Sequence, residues 1–386
     1  HAQNAFSTFH RCSNLRRRSL LRALPHMRLF AALTCATLAA TTRAWEVQLV
    51  FTREVRGAAY PVNKYSTQCK ADDYAAQPCK CYGGAARRAS FIGQPDVISI
   101  DTGSHFSGSG LFFPAFQGNG SGQLFASAGY NSWALTYRDL TAFAQLGSTD
   151  GGQARLAEYL AYVAALDPSL PPPVSTNINL TGTALEHRVA GHAIVPLPGG
   201  RRLAFLSAFS PLDLNAINPL LGARMSDIQQ ALQVEVARLH ALDGGAPELV
   251  VAAISAPQDS MSEAEVQAAG SREAATDTFL QRLAEQVLGV DVFVIASDGL
   301  GKTELSTQTY TNWAGHQVLF LTLIVTLTPT LALTLHQLGG PSGAGRARRQ
   351  LQAGRRHAAC QREPRRQWRG PARHGGCRHR FGLQHR

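Results

Sequence analysis

Short apolar runs alternate along this chain with longer segments that have the periodicity of amphipathic helices. Each run is bounded by polar or turn-forming residues, as expected for a buried strand. The runs lie at residues 47–51, 97–100, 174–178, 203–207, 249–255 and 290–295. This alternation is the strongest constraint on the fold.

Three segments between the runs place apolar residues three or four positions apart, as on one face of a helix. The three sets are Leu156, Leu160 and Val163; Ile228, Leu232, Val236 and Leu239; and Phe279, Leu283 and Val287. Ser226 is positioned to cap the second helix. Strands alternating with helices predict a layered α/β domain, in which ligands bind beyond the strand ends.

The formal net charge of +11 comes from the two ends of the chain. Residues 1–26 contain five arginines and no acid, and residues 346–386 contain thirteen arginines and one acid. Residues 27–345 therefore carry a net charge of −6. A basic groove for nucleic acid is not expected on the folded part, and the tail could bind anionic lipid or nucleic acid only through non-specific charge.

A segment typical of a secretory signal peptide begins at Met27. An apolar run at 29–40 follows one arginine, and small residues occupy the −3 and −1 positions before Trp45. We expect residues 27–44 to be the signal peptide of a secreted or extracellular protein, and residues 1–26 to be upstream sequence foreign to it. A buried helix is the alternative for the apolar run.

Three cysteines of the expected mature chain, Cys69, Cys79 and Cys81, share one loop. Secretion would permit disulfides, but three cysteines cannot all pair with one another. A zinc site would need a fourth ligand, and none stands at a usual spacing. The pairing of these cysteines stays open at the level of sequence.

An uncharged segment at 317–335 is long enough for one membrane crossing, and a basic flank follows it. Its first half also fits a core strand, and five threonines and Pro329 lower its tendency to insert into a membrane. We expect a folded domain at 45–316 and, at 317–338, either a core strand or a single transmembrane span. The Arg-rich residues 339–386 have no apolar periodicity and are predicted to be disordered.

Seven motifs follow one another in the order and spacing of the 5′-nucleotidase family. They are residues 52–57, 83–88, 101–109, 129–135, 173–177, the strand that ends at Ser255, and 289–294. Over residues 47–302 the chain therefore resembles the calcineurin-like metallophosphoesterase domain of that family. The resemblance implies a four-layered α/β/β/α sandwich and hydrolysis of phosphate esters, such as nucleotides, by two divalent metal ions.

The chain departs from the family at nearly every position where the resemblance implies a metal ligand. Glu54 and Arg56 replace the family's Asp-x-His, and Ser104 replaces the bridging aspartate. Tyr137 and Arg138, followed by Asp139, replace the family's Asn-His. At three further positions the family has histidine, and this chain has Ala256, Ser297 and Gly299.

Of these positions, Glu54 keeps a ligand type that suits a divalent metal. Arginine cannot lose its proton, so Arg56 and Arg138 would repel metal ions. His105 follows Ser104, but neighbouring side chains on an extended segment point to different faces. We therefore expect no metal cofactor and a non-catalytic relative of the secreted phosphoesterases; the alternative is an active enzyme with two divalent ions in a rearranged site.

A second hypothesis concerns Arg56 and Arg138. In it, the positive charge of the two guanidinium groups takes the place of the charge of the two metal ions. Two arginines at strand ends around an old phosphate pocket could bind phosphate or another anion without metal. The competing interpretation pairs them with the neighbouring acids Glu54 and Asp139. The sequence identifies no protein partner.

Overall fold

The computed structural model describes residues 45–337, apart from several gaps. The gaps are residues 54, 56, 58, 64–66, 77–78, 96, 107–115, 117, 145–151, 211–222, 256–260, 297–305, 313 and 324–329. The predicted signal peptide, the upstream residues and the Arg-rich tail lie outside the described residues.

Strands and helices alternate through most of this region. The strands are β1 Trp45–Thr52, β2 Val97–Asp101, β3 Ser132–Trp133, β4 Ile178–Asn179, β5 Ala193–Leu197, β6 Arg201–Phe209, β7 Arg224–Met225, β8 Leu249–Ser255, β9 Val292–Ala296, β10 Ser306–Thr311, β11 Gln317–Leu323 and β12 Thr330–Gln337. The helices are α1 Ala71–Ala75, α2 Ala85–Ile92, α3 Asn119–Ala126, α4 Tyr137–Ala144, α5 Gln153–Leu166, α6 Ile228–His240, α7 Glu263–Ala269 and α8 Arg272–Gln286.

The longer strands form two sheets. One sheet has four strands in the order β12-β1-β2-β3, and the other has six in the order β10-β11-β9-β8-β6-β5. β1, β2 and β3 run parallel, as do β6, β8, β9 and β11, whereas β12, β5 and β10 are antiparallel additions at the edges. Parallel neighbours bring their carboxyl ends to one edge of each sheet.

The two sheets pack face to face, and helices cover their outer faces. Leu49 and Phe51 of β1 share one buried cluster with Phe205 of β6 and Val251 of β8. The outer face of the six-stranded sheet packs on α6 and α8, and that of the four-stranded sheet packs on α3 and α5. This is the predicted four-layered α/β/β/α arrangement.

The segment at 174–178 differs from the predicted strand. Val174 forms single bridges to Ala134 and Ala190, and a strand begins only at Ile178. The Thr176 and Asn177 side chains bond to the backbone of β6, where Asn177 Nδ2 donates to the Phe209 carbonyl at 2.8 Å. These side-chain contacts take the place of a regular ladder.

The cap of α6 also differs from the prediction, by one residue. Asp227, not Ser226, accepts the hydrogen bond from the backbone N–H of Gln230, at 3.0 Å. The backbone N–H and carbonyl of Ser226 instead bond to Asn177. Tertiary contacts therefore hold Ser226 outside the helix.

The uncharged segment at 317–335 contributes to two strands. β11 lies between β10 and β9 in the six-stranded sheet, with Val318, Leu319 and Phe320 buried, and β12 pairs with β1. None of the helices in the described ranges is long and apolar enough to cross a membrane.

Candidate functional site

The candidate site lies at the carboxyl ends of β1 and β2, where Thr52 and Asp101 are register partners. Thr52 Oγ1 donates a 2.5 Å hydrogen bond to Asp101 Oδ2, and the backbone N–H of Gly103 donates to Asp101 Oδ1 at 2.9 Å. Both Thr52 and Asp101 are fully buried. The Asp101 carboxylate at the end of β2 therefore accepts hydrogen bonds from Thr52 and Gly103.

The turn after Asp101 has an unusual backbone conformation. Gly103 and Ser104 both have positive φ, +101° and +60°. A Cβ atom on Gly103 would lie 2.3 Å from Thr136 Cγ2, so the turn requires glycine there for both conformation and space. Ser104 is therefore not part of an extended segment, and the prediction that Ser104 and His105 point to different faces of such a segment does not apply.

Asp139, on the first turn of α4, holds this turn in place. Its carboxylate accepts hydrogen bonds from the backbone N–H groups of Ser104, His105 and Thr136, at 2.9, 3.1 and 3.0 Å. Thr136 Oγ1 also donates to it, at 3.0 Å. The contact with Thr136 is half of a capping box, so one carboxylate both caps the helix and fixes the turn.

Ser104 stands where the resemblance places a bridging carboxylate, and its hydroxyl bonds within the protein. Ser104 Oγ lies 3.1 Å from Thr136 Oγ1. Because Thr136 uses its hydroxyl hydrogen on Asp139, Ser104 is the donor of this bond. Serine, threonine and aspartate thus form one buried network.

Tyr137 and Arg138, which the resemblance aligns with the family's Asn-His, begin α4 and are half-buried. The guanidinium of Arg138 lies 5.4 Å from the centroid of the Tyr137 ring, within the range of a cation–π contact. The other candidate residues are outside the described residues, and these are Glu54, Arg56, Ala256, Ser297 and Gly299.

His105 is enclosed by aromatic rings next to the candidate site. Its ring stacks on Phe125 at 4.3 Å, and Trp133 meets it edge-on at 5.0 Å. Nδ1 lies 3.5 Å from Asp101 Oδ1, but within the described part of the chain neither ring nitrogen forms a hydrogen bond. The imidazole is 2% exposed, so water does not satisfy these atoms from the surface.

Tyr130 completes the buried polar group at the strand ends. Its hydroxyl lies 2.8 Å from Thr52 Oγ1. Burial, together with the charge of Asp101, raises the pKa of Tyr130 well above its ordinary value. Its hydroxyl therefore stays protonated over the physiological range.

The described residues of the site do not suit two divalent metal ions. Such ions need several carboxylate or imidazole ligands, whereas Ser104 is neutral, Arg138 is a cation and Asp139 is already occupied by backbone N–H groups. Across the described ranges no three His, Cys, Asp or Glu side chains are grouped as a metal site would require. We therefore derive no metal-dependent step from this geometry.

The contributions of Thr52, Tyr130 and Thr136 to this site were not predicted from the sequence. Each lies within or beside a motif, but hydroxyl residues carry no periodic or spacing signal for a buried network. His105 was excluded as a relocated ligand on the assumption of an extended segment, and its enclosure by Phe125 and Trp133 could not be predicted because those rings lie 20 and 28 positions later in the chain.

In the cysteine loop that precedes α2, Cys69 and Cys81 form a disulfide. Their pairing was left open by the sequence. The N-cap of α2, Gly84, has positive φ and packs against Pro61 of the same loop. The loop is thereby tied to the helix that borders the candidate site.

Comparisons of sequence return no match: no protein-family model fits the chain, and no curated protein matches it. Comparisons of structure return several matches among solved structures. A 5′-nucleotidase precursor of Thermus thermophilus aligns over 75% of this chain, with 19% identity and a TM-score of 0.53. The NAD nucleotidase of Haemophilus influenzae aligns over 78%, with 14% identity and a TM-score of 0.53. A calcineurin-like phosphoesterase of Bacillus subtilis aligns over 80%, with 14% identity and a TM-score of 0.51.

These matches confirm the predicted fold, which is that of the calcineurin-like phosphoesterases. At such identities a structural match establishes the fold alone. The chain spans about half the length of the first two proteins, 51% and 54%, and 89% of the third.

Proposed function

We propose that this chain, which has the calcineurin-like phosphoesterase fold, is a non-catalytic binding domain that takes an anion at its strand ends. The observation that carries the proposal is the network of Ser104, Thr136 and Asp139. The serine hydroxyl and the aspartate carboxylate are engaged within the protein at the position where the fold's enzymes would need free metal ligands.

Charge at the same edge supports an anion as the ligand. Arg138 is the second residue of α4 and precedes Asp139 of this network, and its guanidinium keeps its charge at any physiological pH. Arg56 follows β1 in the sequence and would add a second guanidinium, although it lies outside the described residues. Phosphate is an anion that guanidinium groups bind through paired, charge-assisted hydrogen bonds.

Three measurements on the full chain test this proposal together. Metal content is determined after purification, and hydrolysis of phosphate esters, including nucleotides, is assayed with zinc, manganese and magnesium. Phosphate binding is measured by calorimetry with and without a chelator. We expect no turnover, and phosphate binding that the chelator does not change.

Arg138→Ala should abolish phosphate binding, whereas Arg155→Ala should not. Arg155 is an exposed arginine on α5, where it pairs with Glu158 at 2.8 Å. Two bound metal ions per chain with turnover would overturn the proposal in favour of the active, metal-dependent phosphoesterase. Absence of phosphate binding in a folded, metal-free chain would also overturn it.

Secretion is the second part of the proposal, and it rests on the signal-peptide pattern before Trp45. The Cys69–Cys81 disulfide is consistent with an oxidising compartment. Expression with the native leader in a secreting host should release a chain whose amino terminus is at or near Trp45. Retention of the leader in a cytoplasmic product would contradict this part.

A further inference from the structure

Two segments of the sequence match the acceptor pattern for N-linked glycosylation, which is Asn-x-Ser/Thr with any residue except proline in the middle. They are the segments at 119–121, Asn-Gly-Ser, and at 179–181, Asn-Leu-Thr. So short a pattern also occurs by chance, and the sequence alone does not decide whether either asparagine is modified. The structure places the two segments in different surroundings.

The segment at 179–181 lies on the surface, at the end of β4. Asn179 and Thr181 are both exposed. Asn179 Oδ1 accepts a hydrogen bond from the backbone N–H of Thr181 at 3.0 Å, as in an Asx-turn. This bond engages the oxygen of the amide and not its nitrogen Nδ2, which is the atom that becomes glycosylated.

The residues on either side fix this turn to the fold. Asn177 is 1% exposed and donates to the carbonyl of Phe209, and Leu180 is 7% exposed within the buried cluster beneath α5. The backbone N–H of Thr183 donates to the Leu180 carbonyl at 3.0 Å and closes a β-turn. Asn179 is therefore an exposed side chain held in a defined position between two buried ones.

The surface around this turn has room for a bulky group. A Cβ atom added to Gly182 would have no heavy atom within 4 Å. Arg224, the register partner of Asn179 on β7, is also exposed. An oligosaccharide is large and strongly hydrated, so it requires such a surface. A glycan at this position is thus compatible with the fold whether its transfer precedes or follows folding.

The segment at 119–121 is presented differently, because it forms the first turn of α3. Asn119 is exposed, but Ser121 is 4% exposed and its hydroxyl donates to the carbonyl of Phe106 at 3.3 Å. The pattern requires the hydroxyl of its third residue, and the folded chain does not offer that of Ser121. Only transfer before folding could therefore modify Asn119.

We propose that Asn179, and not Asn119, is the acceptor of an N-linked oligosaccharide. The donor is an oligosaccharide carried on a polyprenyl diphosphate, transferred by the oligosaccharyltransferase of the secretory pathway. A bond forms between Nδ2 and the anomeric carbon, the bond from that carbon to the diphosphate oxygen breaks, the lipid diphosphate leaves, and the amide loses one proton. The proposal rests on the secretion part of the proposed function.

The test expresses the full chain with its own leader in a eukaryotic host, and in parallel the same chain with a host leader directly before Trp45. Secreted and retained fractions are treated with peptide N-glycosidase F in H₂¹⁸O, which converts each glycosylated asparagine to ¹⁸O-labelled aspartate. Peptide mass spectrometry then locates the label. We expect label at Asn179 in both versions, with one discrete loss of apparent mass on electrophoresis. This measurement needs no variant.

Variants at the turn identify the acceptor independently. Asn179→Gln and Thr181→Ala should each abolish the loss of apparent mass, whereas Thr181→Ser and Asn119→Gln should keep it. Thr181→Ala is informative because it keeps the asparagine and the backbone N–H that bonds to Oδ1, and removes the hydroxyl that the pattern requires.

Unlabelled Asn179 in a chain delivered by the host leader would overturn the proposal. Label at Asn119, or a loss of apparent mass that survives Asn179→Gln or Thr181→Ala, would also overturn it. Label at Asn179 with the host leader alone would support the acceptor site and contradict the secretion part of the proposed function, so the two failures are distinguishable.

Discussion

The backbone N–H of Ser104 donates a 2.9 Å hydrogen bond to Oδ2 of Asp139, a residue 35 positions later in the chain. This bond joins the turn after β2 to the first turn of α4. The resemblance to the 5′-nucleotidase family implies a carboxylate at position 104, which would need several donors or a cation nearby. Here position 104 is a serine in a left-handed conformation. The carboxylate in this region is that of Asp139, and it accepts a hydrogen bond from the backbone N–H of Ser104.

Replacing Asp139 with asparagine should destabilise the protein strongly. The amide oxygen of asparagine is a weaker acceptor than the carboxylate, and its NH₂ group would face backbone N–H groups that now donate to Asp139. We expect the free energy of unfolding to fall by about 2–4 kcal/mol, measured by denaturant titration. Asp243→Asn, at an exposed turn after α6, is the control and should change it by less than about 0.5 kcal/mol. Equal effects of the two substitutions would contradict this account of Asp139.

Gly103→Ala should be destabilising for two separable reasons, conformation and space. Its φ of +101° is unfavourable for alanine, and the new Cβ would lie 2.3 Å from Thr136 Cγ2. We expect a loss of about 2–4 kcal/mol in the free energy of unfolding. Thr136→Ser removes the methyl group and keeps the hydroxyl, so the double variant should recover the spatial part. Additive losses in this double-mutant cycle would show that the clash is relieved elsewhere.

The pH dependence of stability should include a contribution from Glu235 on α6. His192 Nδ1 lies 2.6 Å from Glu235 Oε1, and this hydrogen bond holds the pKa of Glu235 below its ordinary value, with Arg238 acting in the same direction. A pKa that is lower in the folded state stabilises the protein above the pKa of the unfolded state, and this contribution disappears as pH falls through the folded value.

Glu235→Gln should therefore lower stability near pH 7 by about 1–3 kcal/mol, and the difference from wild type should shrink below about pH 4.5. Urea titrations at pH 7 and at pH 3.5 measure both quantities. Glu158→Gln, which breaks an exposed pair with Arg155, should have little effect at either pH. A difference for Glu235→Gln that stays constant with pH would argue against ionisation as its cause.

Loss of the Cys69–Cys81 disulfide should destabilise the chain by about 3 kcal/mol. The two cysteines are 12 residues apart, and the crosslink restricts a loop of that size in the unfolded state. The Cys69→Ser/Cys81→Ser variant, compared with wild type in denaturant, measures this difference. Peptide mapping without reduction should recover Cys69 linked to Cys81, and a different linkage would contradict the assignment.

Several elements were predictable because their signals are local. β8 has the predicted bounds, and β1, β2 and β6 include the predicted runs with one to four further residues. The apolar faces of α5, α6 and α8 are the predicted ones, since Leu160, Leu232 and Leu283 are all buried. The periodicity of helices and strands can be detected in a single sequence, because burial of one face requires apolar residues at regular spacing.

Residue types and spacing were enough to predict the layered α/β class and the order of its elements, whereas the departures from a metal-binding pattern are implied by the family resemblance alone. The buried network around Asp139 became visible only in the folded structure. Asp139 reaches the turn at Ser104 because α4 starts beside the end of β2, and His105 is enclosed by Phe125 and Trp133 because α3 and β3 pack around it. Hydrogen bonds and ring contacts between residues 20 to 35 positions apart leave no periodicity, since they depend on how the layers pack.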